Sequence, residues 1–369
     1  MKKIVVIAML TIAVLAFAQV DFVNRKVTAT GYGAVNPDHK TAAQRRFGAL
    51  KAAELDAVRR IIEEIKGVPI DGQTTVRDLM LESDIVTAET EGLAQFFEIV
   101  GEPRYGNDGS VEIDVELSLY DMDWRNKVVQ SVGVGSGRNR PMAIRAAEMD
   151  AKRQLLARVS GMYLTSATLM RDGEVELDVI NATVQGVLRN AKMVPGSEKY
   201  FDDGSIEVTC EVKLGEDLQT VRGFSSVLMQ NAKFNEDYPL VPEATYKLSQ
   251  LVATPQDVYT GLIIDCTGID LRPAFAPKIF SVSGKEIYGT ASVSESFATQ
   301  QGMFGYEKMI ERAKQNMRVD KNPLVIKATG VRGVNKADII ISDADAARIS
   351  QAIKSNDFLA ECRVIAVVK

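Results

Sequence analysis

The chain has 369 residues, with 44 lysines and arginines, 49 aspartates and glutamates and one histidine, which gives a formal net charge of -5. At roughly 100 to 150 residues per domain, this length leaves room for two or three domains. A mildly acidic chain without a block of basic residues lacks the electrostatic footprint of a nucleic-acid-binding protein, and a single histidine excludes the histidine-rich zinc motifs.

The first 18 residues are typical of a secretory signal peptide. Two lysines precede an almost purely apolar stretch over 4–17, and residues 16–18 read Ala-Phe-Ala, the pattern of a cleavage site. We expect cleavage between Ala18 and Gln19 and export to the periplasm or outer membrane; an uncleaved membrane anchor is the alternative. No later apolar run approaches the ~20 residues of a membrane-spanning helix, so we expect no transmembrane span after cleavage, and at most a peripheral association with the outer membrane.

The mature chain begins with a tandem repeat. Ala-Ala-Glu-Leu-Asp-Ala at 52–57 recurs as Ala-Ala-Glu-Met-Asp-Ala at 146–151, and the match continues, with a slip of one residue, to Asp-Gly-Ser at 108–110 and 203–205. Such a sustained match indicates two copies of one structural unit.

Each repeat is predicted to contain one long helix. Apolar residues recur at steps of three and four over 47–65 and over 144–159, with charged residues on the other face. The alanines at the centre of each helix would let it approach a sheet closely. Gly67 and Gly161 follow these stretches and are expected to end the helices in left-handed caps.

Each repeat closes with a predicted hairpin. Asn-Asp-Gly at 107–109 and Asp-Asp-Gly at 202–204 supply residues that tolerate the positive φ of a tight turn. The strands that follow, over 111–119 and 206–214, alternate apolar and polar residues. A long helix packed on one face of a small, mainly antiparallel sheet fits this order, so each repeat is predicted to be α+β.

The last third of the chain is predicted to form a separate domain. Five short apolar strands alternate there with two helices, which indicates an α/β or α+β domain. Cys266 and Cys362 lie in two of these strands and could form a disulfide if the strands are neighbours, whereas Cys210 replaces Val115 of the first repeat and is expected to be a buried apolar residue. The predicted segments are a signal peptide at 1–18, repeat domain 1 at 24–121, repeat domain 2 at 125–215, a linker at 216–254 and a C-terminal domain at 255–369.

The comparison of the repeats argues against catalysis. The only histidine, His39, has no counterpart in the second repeat, and the glycines of 133–137 lack the spacing of nucleotide-binding loops. The acidic row at 112–116 is partly lost at 207–211. A duplication that keeps architecture and loses reactive groups predicts a non-enzymatic protein with no catalytic, cofactor-binding or metal-binding residues.

One charged pair survives in both repeats. Arg77 and Asp78 recur as Arg171 and Asp172. The pair is either a turn or surface ion pair worth little, or a recurrent interface contact. We retain these four residues as a predicted interface.

The two repeats share strand ends at Gly31 and Gly133, alanine pairs in their helices, glycines at 67 and 161, and two Asp-Gly hairpins. In these features they resemble the twenty-kilodalton membrane-associated lipoprotein family and the amino-terminal domain of flagellar assembly protein T. The resemblance implies an envelope protein, since members of that family assemble into discs or rings around the flagellar motor. This chain has no cysteine at the cleavage point, so acylation is not expected. Residues 256–369 resemble a module found behind such domains in exported bacterial proteins.

These observations predict an exported envelope protein that acts through protein contacts, as a structural or assembly component of a flagellar or other outer-envelope complex. Its expected partners are other envelope proteins or further copies of itself in a homo-oligomer. The alternative is a periplasmic protein that binds a ligand or carbohydrate in a pocket of the C-terminal domain.

Overall fold

The computed structural model describes residues 18–123, 127–170, 184–214, 220–221, 223–231 and 258–369. The fold is α+β, as predicted, with antiparallel sheets in the repeats and a mixed sheet in the C-terminal domain. Residues 1–17 of the predicted signal peptide and the predicted interface residues Arg171 and Asp172 lie outside the described residues.

Repeat 1 is a four-stranded antiparallel sheet in the order β1-β2-β4-β3, covered on one face by a long helix. Strand β4 alternates buried and half-buried residues throughout, which confirms the predicted alternation. The elements are β1 Gln19–Asp21, β2 Lys26–Gly33, α1 Ala42–Lys66, α2 Val76–Glu82, α3 Asp84–Leu93, β3 Glu98–Tyr105 and β4 Val111–Ser118.

Repeat 2 also packs a long helix on an antiparallel sheet, in which two short strands take the place of β3 and the described residues include no counterpart of β1. Strand β5 lies between the two repeats in sequence and pairs with β10, which together with the helix α5 lies between repeat 2 and the C-terminal domain. The elements are β5 Met122–Asp123, β6 Val128–Gly135, α4 Arg140–Met170, β7 Lys192–Met193, β8 Lys199–Tyr200, β9 Ile206–Lys213, β10 Thr220–Val221 and α5 Phe224–Asn231.

Glycine and alanine bring helix and sheet into direct contact in both repeats. A Cβ atom on Gly31 would lie 2.0 Å from the carbonyl oxygen of Ala53 in α1, and one on Gly133 would lie 2.2 Å from that of Ala147 in α4. No side chain fits these gaps, so the helix packs backbone to backbone on the strand. This explains why the central alanines and the strand glycines recur together.

Two helix ends differ from the expectation. Gly67 ends α1 with φ of -78°, a right-handed conformation, rather than in a left-handed cap. Helix α4 continues through Gly161 to Met170, because an isolated glycine costs a helix only ~1 kcal/mol and does not stop it.

The predicted linker at 216–254 contains a packed element. Helix α5 contacts α3 of repeat 1 and the helix at 295–301 of the C-terminal domain. Its Phe224, Val227 and Leu228 are buried. This part of the segment therefore belongs to the packed structure.

The C-terminal domain is built on a seven-stranded mixed sheet in the order β13-β12-β16-β15-β11-β17-β14. Strand β11 is central and pairs in parallel with β15 and β17. The elements are β11 Gly261–Asp265, β12 Ile279–Ser281, β13 Glu286–Tyr288, α6 Glu295–Gln301, β14 Gly305–Glu307, α7 Ile310–Gln315, β15 Pro323–Arg332, β16 Asp338–Ile341, α8 Asp343–Ala352 and β17 Val364–Val367.

The two cysteines of this domain are free and buried, so the predicted disulfide is absent. Their strands are neighbours, as the hypothesis required, but they run parallel with Asp265 opposite Val367. Cys266 therefore follows the end of β11, whereas Cys362 precedes the start of β17. At ~3.3 Å per strand residue the two Cα atoms are on the order of 10 Å or more apart, beyond the reach of a disulfide. Burial raises the pKa of Cys266 to about 12 and that of Cys362 to about 11.

Candidate functional site: the contact surfaces of repeat 1

Arg46 is the centre of the contact between the repeats. It lies near the start of α1, which begins at Thr41 in a reciprocal capping arrangement with Gln44. The Arg46 guanidinium donates to the Asp203 carboxylate at 3.0 Å and stacks on Phe201, with Cζ 3.5 Å from the ring centroid. It also lies 4.9 Å from the Tyr105 ring of its own repeat. One side chain thus combines an ion pair with cation–π contacts.

The hairpin of repeat 2 presents the acceptor for Arg46. Gly204 has φ of 77°, and the Ser205 N–H donates to Asp203 Oδ1 at 2.8 Å, which leaves Oδ2 for Arg46. Burial alone would raise the pKa of Asp203, but hydrogen bonds from Ser205 and Arg46 hold it below its ordinary value. The carboxylate is therefore ionised when it receives the guanidinium.

Strand β3 extends this contact across the outer face of the second sheet. The Tyr105 hydroxyl donates to Glu207, and Lys199 pairs with Glu102 at 2.9 Å. Glu207 is buried, which raises its pKa despite the hydrogen bond from Tyr105. At the other end of β3, Lys127 pairs with Glu98 at 2.7 Å. Charged and polar pairs thus follow the whole length of this strand.

A cleft of about 300 Å³ separates the two helices beside this strand. Arg153 of α4 lies over the Phe47 ring at 5.4 Å, and Arg158 lies over the Phe97 ring at 4.4 Å. Desolvation lowers the pKa of Arg158 to about 10, and it donates to the carbonyl of Gln130 at 2.9 Å. The cleft walls therefore include cations of repeat 2 stacked on aromatic rings of repeat 1.

The opposite end of repeat 1 contacts the C-terminal domain through backbone atoms. The loop after α1 offers the carbonyl of Ile70 to the N–H of Ala276 at 2.7 Å and that of Gly72 to the N–H of Asn335 at 3.1 Å. In return the Gly72 N–H donates to Asp338 Oδ1 at 3.1 Å. These bonds fix the relative register of two chain segments far apart in sequence.

Close packing and aromatic rings complete this second surface. A Cβ atom on Gly333, whose φ is 84°, would lie 1.9 Å from the carbonyl oxygen of Gly72. The Phe275 ring lies 5.4 Å from Phe22 and 6.3 Å from Tyr120, both of repeat 1. All three rings are buried. The surface resembles a domain core rather than a contact between separate proteins.

The four residues predicted as an interface take no part in these contacts where the structure describes them. Asp78 accepts from the N–H of Thr75 at 2.8 Å and caps α2, while Arg77 is exposed. Their role in binding another protein stays a prediction. His39 is half-buried in the loop before α1, and its ring lies next to Gly48.

Neither a membrane-spanning helix nor a metal-binding cluster occurs in the described ranges. No helix there is both long enough and apolar enough to cross a bilayer. No group of three or more His, Cys, Asp or Glu side chains in the same ranges is placed to hold a metal ion.

Comparison with known families bears on the C-terminal domain. Residues 261–369 match the family model described as Treponema pallidum Tp0624, second domain. The match supports the prediction of a bacterial domain at this end of the chain and covers less than a third of its length. It gives no support to the resemblance of the repeats to the lipoprotein and flagellar families. No curated protein matches the chain.

Proposed function

We propose that the protein is a non-enzymatic component of the bacterial envelope that acts through protein–protein contacts. The signal-like segment at 1–18 supports export, with the mature chain in the periplasm or against the outer membrane. The resemblance of the repeats to envelope proteins supports a flagellar or other outer-envelope complex as the place of action.

The observation that carries this proposal is the surface around Arg46. Paired charges and cation–π contacts are the means by which proteins recognise one another, since they fix register and orientation. Here the same chemistry joins two copies of one structural unit, through Arg46, Phe201 and Asp203. A chain that joins its own repeats in this way is suited to assembly.

Crosslinking in intact cells tests the proposal. The protein is tagged at its C-terminus, treated with a short amine-reactive crosslinker and purified under denaturing conditions, and the attached proteins are identified by mass spectrometry. An exported protein of the same size expressed at the same level is the control. We expect covalent adducts with envelope proteins or with further copies of this chain. Recovery of the uncrosslinked monomer alone, as for the control, would count against the proposal.

The alternative, a protein that binds a ligand in its C-terminal domain, makes a different prediction. A thermal-shift screen of sugars and small periplasmic solutes would then find a compound that stabilises residues 258–369, and crosslinking would find no protein partner. If the protein instead acts through protein contacts, crosslinking should find partner proteins and no compound in the screen should stabilise this domain.

A further inference from the structure

The donor half of the contact between the repeats has a second copy on repeat 2. Arg46 and Tyr105 recur in sequence as Arg140 and Tyr200. In the structure Arg140 lies over the Tyr200 ring at 3.9 Å, as Arg46 lies over Tyr105. The difference is exposure: the Arg46 side chain is 14% exposed beneath repeat 2, whereas Arg140 is exposed and Tyr200 is 46% exposed.

The acceptor half has a second copy on repeat 1. Asp203 and Ser205 recur as Asp108 and Ser110, and Glu207 recurs as Glu112. The turn at 108–110 has the same geometry as the turn at 203–205 of repeat 2, which accepts the hydrogen bond from Arg46. The Ser110 N–H donates to Asp108 Oδ1 at 3.0 Å, matching 2.8 Å for Ser205 and Asp203. Asp108 is exposed.

The two turns share a backbone conformation as well. Gly109 has φ of 80° and Gly204 has φ of 77°. Among the described residues, each chain therefore carries one occupied contact between its repeats, together with the Arg140 donor and the Asp108 acceptor, which no other repeat covers. Glu112 of the acceptor half pairs with Arg104 of its own repeat at 3.3 Å. Arg140 and Asp108 carry opposite charges.

We propose that the exposed Arg140–Tyr200 pair of one copy receives the Asp108 hairpin of a second copy, so that copies join head to tail. This inference rests on the proposed function and names its partner and surface. The partner is a second copy of this chain because each copy carries both the donor, Arg140, and the acceptor, Asp108. The equivalent pair, Arg46 and Asp203, already forms this contact within the chain. Such a contact is heterologous, and repetition of it produces a ring or an open filament.

The contact between copies should be weaker than the one inside the chain. The repeat 1 counterpart of Phe201 is Gly106, so the contact between copies lacks the ring that stacks on Arg46. The repeat 2 counterpart of Phe97 is Ala191, so it also lacks the ring that Phe97 adds to the cleft. Strand β1 also pairs with β2 at Lys26–Thr28 and covers that part of the sheet edge. The association is therefore confined to the hairpin end of each repeat and depends on protein concentration and salt.

Complementary charge reversals test the proposal. Arg140→Asp and Asp108→Arg each place like charges at the contact, so each purified variant should associate at least about tenfold more weakly than the wild type. In an equimolar mixture every contact between unlike variants pairs opposite charges, so the mixture should associate through alternating copies about as strongly as the wild type does. Sedimentation velocity over a range of concentrations measures this. Arg348→Asp, which reverses an exposed charge of the C-terminal domain, is the charge-matched control for Arg140→Asp and should leave association unchanged.

Three outcomes separate this inference from the function on which it rests. If association recovers in the mixture and stays weak in each variant alone, the Arg140–Asp108 contact between copies is established. Equal association of wild type and both variants would overturn the inference while self-assembly through another surface would still stand. A wild type that stays monomeric at the highest concentration would also overturn it, and the crosslinking experiment would then decide the proposed function independently. Unchanged thermal unfolding of both variants shows that they are folded.

Discussion

Repeat 1 contacts repeat 2 and the C-terminal domain through different kinds of interaction. Towards repeat 2 it presents Arg46, Glu98 and Glu102, and the contact consists of ion pairs and cations on aromatic rings. Towards the C-terminal domain it presents backbone carbonyls and buried rings such as Phe22. The first surface can be reproduced wherever the charges recur, whereas the second requires matching backbone shape. Only the first is suited to joining separate copies.

The largest difference between the surfaces should come from removing one aromatic ring at each. Phe275→Ala leaves a cavity in a fully packed cluster and should lower the free energy of unfolding by about 3 to 5 kcal/mol. Phe201→Ala removes a half-buried ring from the charged surface and should cost about 1 to 2 kcal/mol. Urea unfolding of both variants measures this. Equal losses would mean that the two surfaces are packed alike and do not differ in their physical basis.

The close approach of Gly333 to Gly72 gives the next largest effect. Gly333→Ala combines a positive φ with a collision against backbone and should cost about 3 kcal/mol. Gly284 is the matched control, because its φ is 88° and nothing lies within 4 Å of an added Cβ. Gly284→Ala should cost about 1 kcal/mol, the strain of the conformation alone. If both variants lost the same stability, the backbone contact at Gly72 would contribute nothing.

Much of each repeat could be predicted from the sequence, because its determinants are local. The alternation over 111–118 and the Asp-Gly turns specify strands and hairpins within a few residues. The alanines of α1 indicated close helix packing for the same reason. Helix α4 passed through Gly161 because nothing crowds that position and its other residues favour a helix.

The contact surfaces could not be predicted in this way. Arg46 and Arg140 are the same residue type in the same local pattern, and only the fold determines which of them repeat 2 covers. The recurrence of Arg46 and Asp203 in both repeats was a usable signal, but it carries no information on exposure. The contact of Gly72 with Gly333 depends on segments from different domains, so neither glycine signals it locally.

A buried carboxyl makes the second surface sensitive to pH. Burial raises the pKa of Asp338 to about 6, although the backbone N–H groups of Lys278 and Gly72 donate to it. Since this pKa lies above the ordinary value of about 4, the neutral carboxyl stabilises the fold fully below about pH 4 and that contribution is lost as the pH rises through about 6. Ionised Asp338 therefore costs stability near pH 7.

Asp338→Asn keeps an oxygen that accepts both hydrogen bonds and removes the titration. Relative to the wild type, the variant should gain on the order of 2 kcal/mol between about pH 4 and pH 7. Unfolding free energies of both proteins across this range give the difference directly. Asp270→Asn, at an exposed position, is the control and should show no such gain. A difference that does not change with pH would contradict the assignment.

The smallest effect expected is on the charged surface itself. Arg46→Gln removes the ion pair with Asp203 and the cation over Phe201, and should cost about 1 kcal/mol at low salt and less at high salt. Arg348→Gln, which breaks an exposed pair on α8, should change stability by less than about 0.5 kcal/mol under both conditions. Urea unfolding at two salt concentrations separates the cases. If the loss for Arg46→Gln were the same in high salt, packing of its side chain would hold the repeats together, and charge alone could not carry the same contact to a second copy.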